Sequence, residues 1–125
     1  MKKHYMSLHD SPFFLVMNGL KTIELRLNDE KRQAIETGDI VVFQNANDNS
    51  KKIEVKVVCL HHFASFKELY HCLPLDKCGY SHEHVSEAKP EDMNIYYSQE
   101  QQDKYGVTGI EFVVLNVEKQ SISKR

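Results

Sequence analysis

Two β-rich runs joined by a polar turn constrain this chain more than any other feature. Residues 39–45 (DIVVFQN) are mostly apolar, while residues 53–60 (IEVKVVCL) alternate Ile53, Val55 and Val57 with Glu54 and Lys56. Between them, ANDNSKK carries the Asn, Asp and Ser that form turns. The pattern predicts an antiparallel hairpin whose first strand is buried on both faces and whose second is half-buried. A chain of 125 residues supports a single core, so the remaining elements must pack around that hairpin.

Those elements are short. Residues 4–8 (HYMSL) read as a first strand. A helix follows in SPFFLVMNGLK, with Ser11 as N-cap and Pro12 at the first helical position. Phe13, Val16, Met17 and Leu20 give it one apolar face, and Gly19 is placed to end it in a left-handed conformation. KTIELRL then switches to period two, with Ile23, Leu25 and Leu27 on one side and Thr22, Glu24 and Arg26 on the other. Residues 28–39 predict a short polar helix capped by Asn28 or Asp29 and stopped by Gly38. Capping boxes mark two later helices, Ser65 with Glu68 and Ser98 with Gln101, the second ending at Gly106. Residues 75–93 are polar and lack periodicity, and GIEFVVLNV closes the chain as a strand. Too few βαβ units exist for a doubly wound sheet. The order predicts an α+β domain over residues 1–118, a small mixed, partly closed β-barrel with short helices covering its openings, followed by a flexible tail at 119–125.

Charge narrows the function. The net charge of −2 excludes a strong non-specific DNA binder, because such domains are usually basic over much of their surface. A nucleic acid would have to engage a local patch. No apolar run approaches the ~18–20 residues that span a bilayer, so no membrane association is expected. The start, MKKHYMSLHDS, lacks the apolar segment of a secretory signal. Three cysteines without CxxC spacing point to a reduced, cytoplasmic protein.

The stretch GLKTIELRL places Lys21, Glu24 and Arg26 within six residues among side chains bound for a core. One reading is a solvated strand face with cross-strand ion pairs. The other follows from the glycine corner, which aims Lys21 independently of the strand pleat toward Glu24 and Arg26. An arginine fork, a lysine point charge and a carboxylate converging on one concavity can hold a heterocycle or a phosphate, or move a proton.

GLKTIELR resembles the Gly-x-Lys-x-x-Glu-x-Arg signature of ASCH domains, a family similar in fold to the small PUA β-barrels. PFFLVMNGLKTIELRLNDEKRQAIETGDIVVFQN and YYSQEQQDKYGVTGIEFVVL are similar to the family's opening and closing segments, so the resemblance spans nearly the whole chain. It implies a cleft for RNA or a nucleoside-like small molecule lined by Lys21, Glu24 and Arg26. Some short bacterial relatives are amidohydrolases acting on N4-acetylcytidine through a lysine, a threonine and a remote glutamate. Lys21 matches the lysine, Glu24 stands where the threonine belongs, and Glu68, Glu83 or Glu100 could be the glutamate. The resemblance therefore implies an RNA- or nucleotide-binding module, with an amidohydrolase using Lys21 and Glu24 as catalytic residues, or a protein-binding adaptor, as alternatives. Ligand identity and oligomeric state stay open.

Around the triad, Lys31 and Arg32 could extend the cleft toward phosphates, and Tyr96, Tyr97 and Tyr105 could stack on bases or pack the last helix. His61, His62, His71, Cys72, Cys78, His82 and His84 lack the paired spacing of structural zinc sites. No metal and no cofactor are expected, and Cys59 and Cys72 read as small buried hydrophobes.

Overall fold

The computed structural model describes residues 1–118, so the tail expected at 119–125 lies outside the described residues. The hairpin is the middle of its sheet. Strand β3 (Ile40–Asn45) is buried along nearly its whole length and pairs antiparallel with β4 (Lys52–Phe63), Phe43 opposite Ile53. Strand β1 (Lys3–Leu8) lies parallel to β3 on one side. On the other side β4 pairs antiparallel with β5 (Val107–Glu118), which pairs antiparallel with β2 (Ile23–Leu27). The strand order is β1-β3-β4-β5-β2 in one five-stranded sheet.

That order corrects the expected barrel. Among the described residues β1 and β2 are the two edges, and no ladder joins them. A side chain spans the gap instead: Arg26 on β2 donates from Nη2 to the Ser7 carbonyl on β1 at 3.0 Å. Helix α1 (Asp10–Met17) leaves from the end of β1 and its corner leads into β2. The connection between the two edges is thus a helix and a turn.

Each face of the sheet carries a core. On one, Phe13 and Val16 of α1 and Ile35 pack with Met6, Leu8, Val41, Phe43, Ile53, Val55, Val57, Ile110 and Phe112. Ile23, Leu25, Leu27 and Val107 face the other core, with Phe66, Leu69 and Tyr70 of α3 (Phe66–Cys72) and with Cys78. Removing side chains of this size from water contributes about 1.5–3 kcal/mol apiece, so both sheet faces are committed.

Local details depart from expectation for identifiable reasons. Helix α1 starts earlier, with His9 as N-cap and no side-chain cap, and the Ser11 hydroxyl does not fill that role. Gly19, at φ 77°, terminates it before Leu20, which is left 59 % exposed instead of on the apolar face. Helix α2 (Glu30–Gln33) is capped by Asp29, whose carboxylate accepts from the Arg32 amide. At α3 the Ser65 hydroxyl accepts from the Glu68 amide, while the Glu68 carboxylate accepts from the Ala64 amide, one residue short of a reciprocal box. The Ser98–Gln101 box is complete and opens α4 (Gln99–Tyr105). Residues 75–95 form three short 3-10 turns, Leu75–Lys77, Val85–Glu87 and Pro90–Ile95. Cys72 is exposed and Cys59 half-buried, and Cys78 is the buried cysteine. No described helix is long and apolar enough to cross a membrane.

Candidate functional site

The gap between the two sheet edges is where the charged triad sits. At the end of α1 the amides of Leu20 and Lys21 both donate to the Leu15 carbonyl, at 2.9 and 3.1 Å, and Gly19 supplies the positive φ the corner needs. This turns the Lys21 side chain inward. Gly79 backs it: a Cβ there would lie 3.6 Å from Lys21 Nζ, and φ +115° at that position suits only glycine. Glu24 and Arg26 reach the same space from one side of β2, while Ile23, Leu25 and Leu27 enter the core.

Glu24 is the hub. Lys21 Nζ lies 2.7 Å from its Oε1, and Arg26 Nε donates to its Oε2 at 2.6 Å. Its side chain is only 5 % exposed, against 10 % for Lys21 and 16 % for Arg26. Burial pushes the carboxyl upward, but the charges of Lys21 and Arg26 and their hydrogen bonds overcome it and hold Glu24 below the ordinary carboxylate range. Burial likewise works against the Arg26 charge, and the Glu24 carboxylate outweighs it, raising Arg26 further. The triad thus sets two basic side chains around one acid.

Above this floor opens a cavity of about 820 Å3, lined by Ser7, Leu8 and His9 from β1 and its exit, by the triad, and by Tyr70, Tyr80, Tyr96 and Tyr97. The tyrosines differ in role. Tyr97 stacks on Phe66 with ring centroids 6.2 Å apart and planes 17° apart, so one side of it is fixed by the core. Tyr96 is 63 % exposed. Tyr70 and Tyr80 share a hydroxyl–hydroxyl bond of 2.7 Å, and Tyr80 donates onward to Asp92 Oδ2 at 2.8 Å. Burial raises the Tyr70 phenol to about 12 and raises Tyr80 further still, so both remain neutral hydrogen-bonding groups. Glu91 and Asp92 also line the cavity, so with Glu24 its carboxylates outnumber its cations Lys21 and Arg26.

A smaller hollow of about 320 Å3 adjoins on the outer side of Arg26, lined by Tyr5, Ser7, Arg26, Lys31, Arg32 and Gln44. Here every charged side chain is basic. Lys31 is exposed, and the half-buried Arg32 guanidinium meets Asp29 at 3.3 Å while its Nε has no protein partner. Arg26 lines both spaces.

The structure brings together Lys21, Glu24, Arg26, Tyr96 and Tyr97 around the cavity and places Lys31 and Arg32 on the adjoining shelf. Tyr105 packs with the second core, under Lys104 at 5.0 Å from its ring. Glu68, Glu83 and Glu100 are all exposed and none lines the cavity. The acids at its wall are Glu91 and Asp92, which sequence reasoning missed. They lie in the aperiodic segment, and the only local signal is Pro90 opening a helical turn whose amide at Lys89 donates to Asp92 at 3.2 Å. Tyr70 and Tyr80 were likewise hidden, one in an apolar helix face and one in a loop. His71, Cys72, His82 and His84 are exposed and form no metal-sized cluster among the described residues.

Comparison with known proteins gives the family and the fold. The family model for the ASCH domain matches residues 6–116. The crystal structure of protein PH0355 is similar at 30 % identity and a TM-score of 0.77, over 92 % of this chain and 100 % of that one. The solution structure of protein PF0455 from Pyrococcus furiosus is similar at 28 % identity and a TM-score of 0.69, over 91 % of this chain and 98 % of that one. An ASCH protein from Zymomonas mobilis shares the fold at 10 % identity and a TM-score of 0.63, over 94 % of this chain and 73 % of that one. No curated protein matches.

Proposed function

The chain belongs to the ASCH domain family, whose fold is PUA-like, and on that basis we propose that it is a binding module for single-stranded RNA or a nucleotide. The observation that supports this reading is the division of charge across Arg26. The inner cavity is aromatic with an excess of carboxylates, which suits an uncharged base and its hydrogen-bonding edge. The outer shelf is purely basic, which suits a phosphate. Tyr96 offers an exposed face for stacking. The Tyr70–Tyr80 pair and the Lys21 N–H donors not turned to Glu24 offer polar contacts to the base edge.

Catalysis by Glu24 is disfavoured on the same grounds. Both of its oxygens are engaged by cations and its pKa is pushed down, away from the neutral range that a general base needs. Its charge holds Lys21 and Arg26 in place.

Fluorescence anisotropy with short labelled single-stranded RNA, over a salt series, tests the proposal. Tyr96→Ala should cost about 1–3 kcal/mol of binding, as loss of one stacked base does. Lys31→Ala should weaken binding for all sequences and flatten the salt slope by about one. Lys21→Met should also weaken binding. Unchanged affinity in all three folded variants refutes the site. Brisk release of cytidine from N4-acetylcytidine by the parent, abolished in Lys21→Met, would replace the binding module by the amidohydrolase.

A further inference from the structure

Away from the cavity, β4 and β5 carry a second group of chemically active side chains. Cys59, His61 and Glu111 each present one ligand atom, and the three atoms lie within 4.8 Å of one another. None of them lines the cavity or the basic shelf.

A fault in the ladder brings them together. Up to Val57, the odd-numbered side chains of β4 enter the first core. The β4–β5 register shifts between Val57 and Cys59, so Val57 opposes Phe112 and Cys59 opposes Glu111. A one-residue irregularity exchanges the two faces of a strand. Beyond it Leu60 packs on the first core and Phe63 on the second, which leaves Cys59 and His61 on the face that Glu111 shares. His61 opposes Gly109, two residues from Glu111, and its Nε2 lies 2.9 Å from Glu111 Oε1 along that diagonal. Cysteine, histidine and carboxylate thus meet at a half-buried spot, with the His61 side chain 26 % and that of Glu111 40 % exposed.

We propose that Cys59, His61 and Glu111 bind a borderline-soft divalent cation of the zinc class. A thiolate, an imidazole and a carboxylate form a donor set for tetrahedral zinc, with bonds of about 2.0–2.3 Å. Ligand atoms around such an ion stand roughly 3.3–3.8 Å apart, so His61 and Glu111 separate slightly and Cys59 turns inward to complete the site. Three protein ligands leave the fourth corner for water, and the partial exposure provides the way in. Two strands of the central sheet already position the ligands, so the fold does not depend on the ion.

The sequence hid this site because its ligands come from different strands. Glu111 lies fifty residues from His61, and of the histidine-rich segment that draws the eye only His61 takes part.

The test uses tag-free protein stripped with chelator and titrated with cobalt(II), a spectroscopic stand-in for zinc. The expected result is saturation near one equivalent with a near-ultraviolet thiolate-to-cobalt charge-transfer band, which zinc then abolishes by displacement. Cys59→Ser should remove the band. His61→Asn and Glu111→Gln should each weaken binding at least about tenfold, the scale already seen for losing an outer-shell partner. A His82→Ala, His84→Ala double variant should behave as the parent. Thiol alkylation of the unmutated protein gives an independent readout that no folding defect can confuse. Zinc should protect Cys59, while the exposed Cys72 reacts unchanged. Absence of the band, its survival in Cys59→Ser, or equal alkylation of Cys59 with and without zinc would overturn the proposal.

Discussion

Replacing Glu24 by glutamine keeps the shape of the buried triad and removes its only negative charge. Lys21 and Arg26 approach the carboxylate to 2.7 and 2.6 Å, and each such contact is worth about 6 kcal/mol before desolvation at an effective dielectric near 20. Burying the ions costs several kcal/mol each, so the intact triad contributes little net stability. The variant is different in kind. It leaves two cations, 10 % and 16 % exposed, with no counter-charge, and breaking a buried pair from one side costs about 3–5 kcal/mol. Lys21→Met should cost less, about 1–3 kcal/mol, because Glu24 keeps Arg26. Urea unfolding at neutral pH measures both. Acid supplies a second check. Glu24 is depressed below its ordinary value of 4.5, so its contribution is complete above that pH and fades as pH falls through the folded value. The stability gap between parent and Glu24→Gln should therefore narrow in acid. A loss under about 1 kcal/mol at neutral pH, or a gap that widens below 4.5, would refute the account of Glu24 as the charge that holds the cavity floor.

Three further outcomes are expected. Gly109→Ala places a Cβ 2.8 Å from Leu73 Cδ1 and 3.2 Å from Ile23 Cγ2, so it should destabilise by about 1–3 kcal/mol and be partly rescued by Leu73→Ala in a double-mutant cycle. Gly106→Ala should cost at least about 1–3 kcal/mol by thermal unfolding, since φ is +70° and the new Cβ meets the Phe63 carbonyl oxygen at 2.9 Å. Asp39 lies well below its ordinary 3.8 because the His4 hydrogen bond and the amides of Glu36 and Lys2 outweigh burial. Its stabilisation is present above 3.8 and lost on further acidification, so Asp39→Asn should destabilise at neutral pH and differ less from the parent in strong acid.

Most of the strands and helices, and the three charged residues on the cavity floor, were legible along the chain. Period-two alternation fixed β2 and β4, glycines at 19 and 106 fixed two helix stops through positive φ, and the short spacing of Lys21, Glu24 and Arg26 was enough to converge them; the stop expected at Gly38 was misplaced, since α2 already ends at Gln33 with Ala34 as its C-cap. These are local facts, set by backbone geometry over a few residues. What the chain does between its sheet edges was not local. Whether β1 and β2 would pair was decided by how the whole sheet curls, and it stays open there with only Arg26 reaching across to the Ser7 carbonyl. The cavity wall was equally out of reach, because Tyr80, Glu91 and Asp92 come from aperiodic turns whose positions are set by packing against α3 and by the Tyr70–Tyr80–Asp92 hydrogen bonds. The Cys59–His61–Glu111 cluster depended on a single register shift in the β4–β5 ladder. A pattern in sequence reports which face a residue shares with its neighbours two or three positions away. Only tertiary pairing decides which distant face it meets.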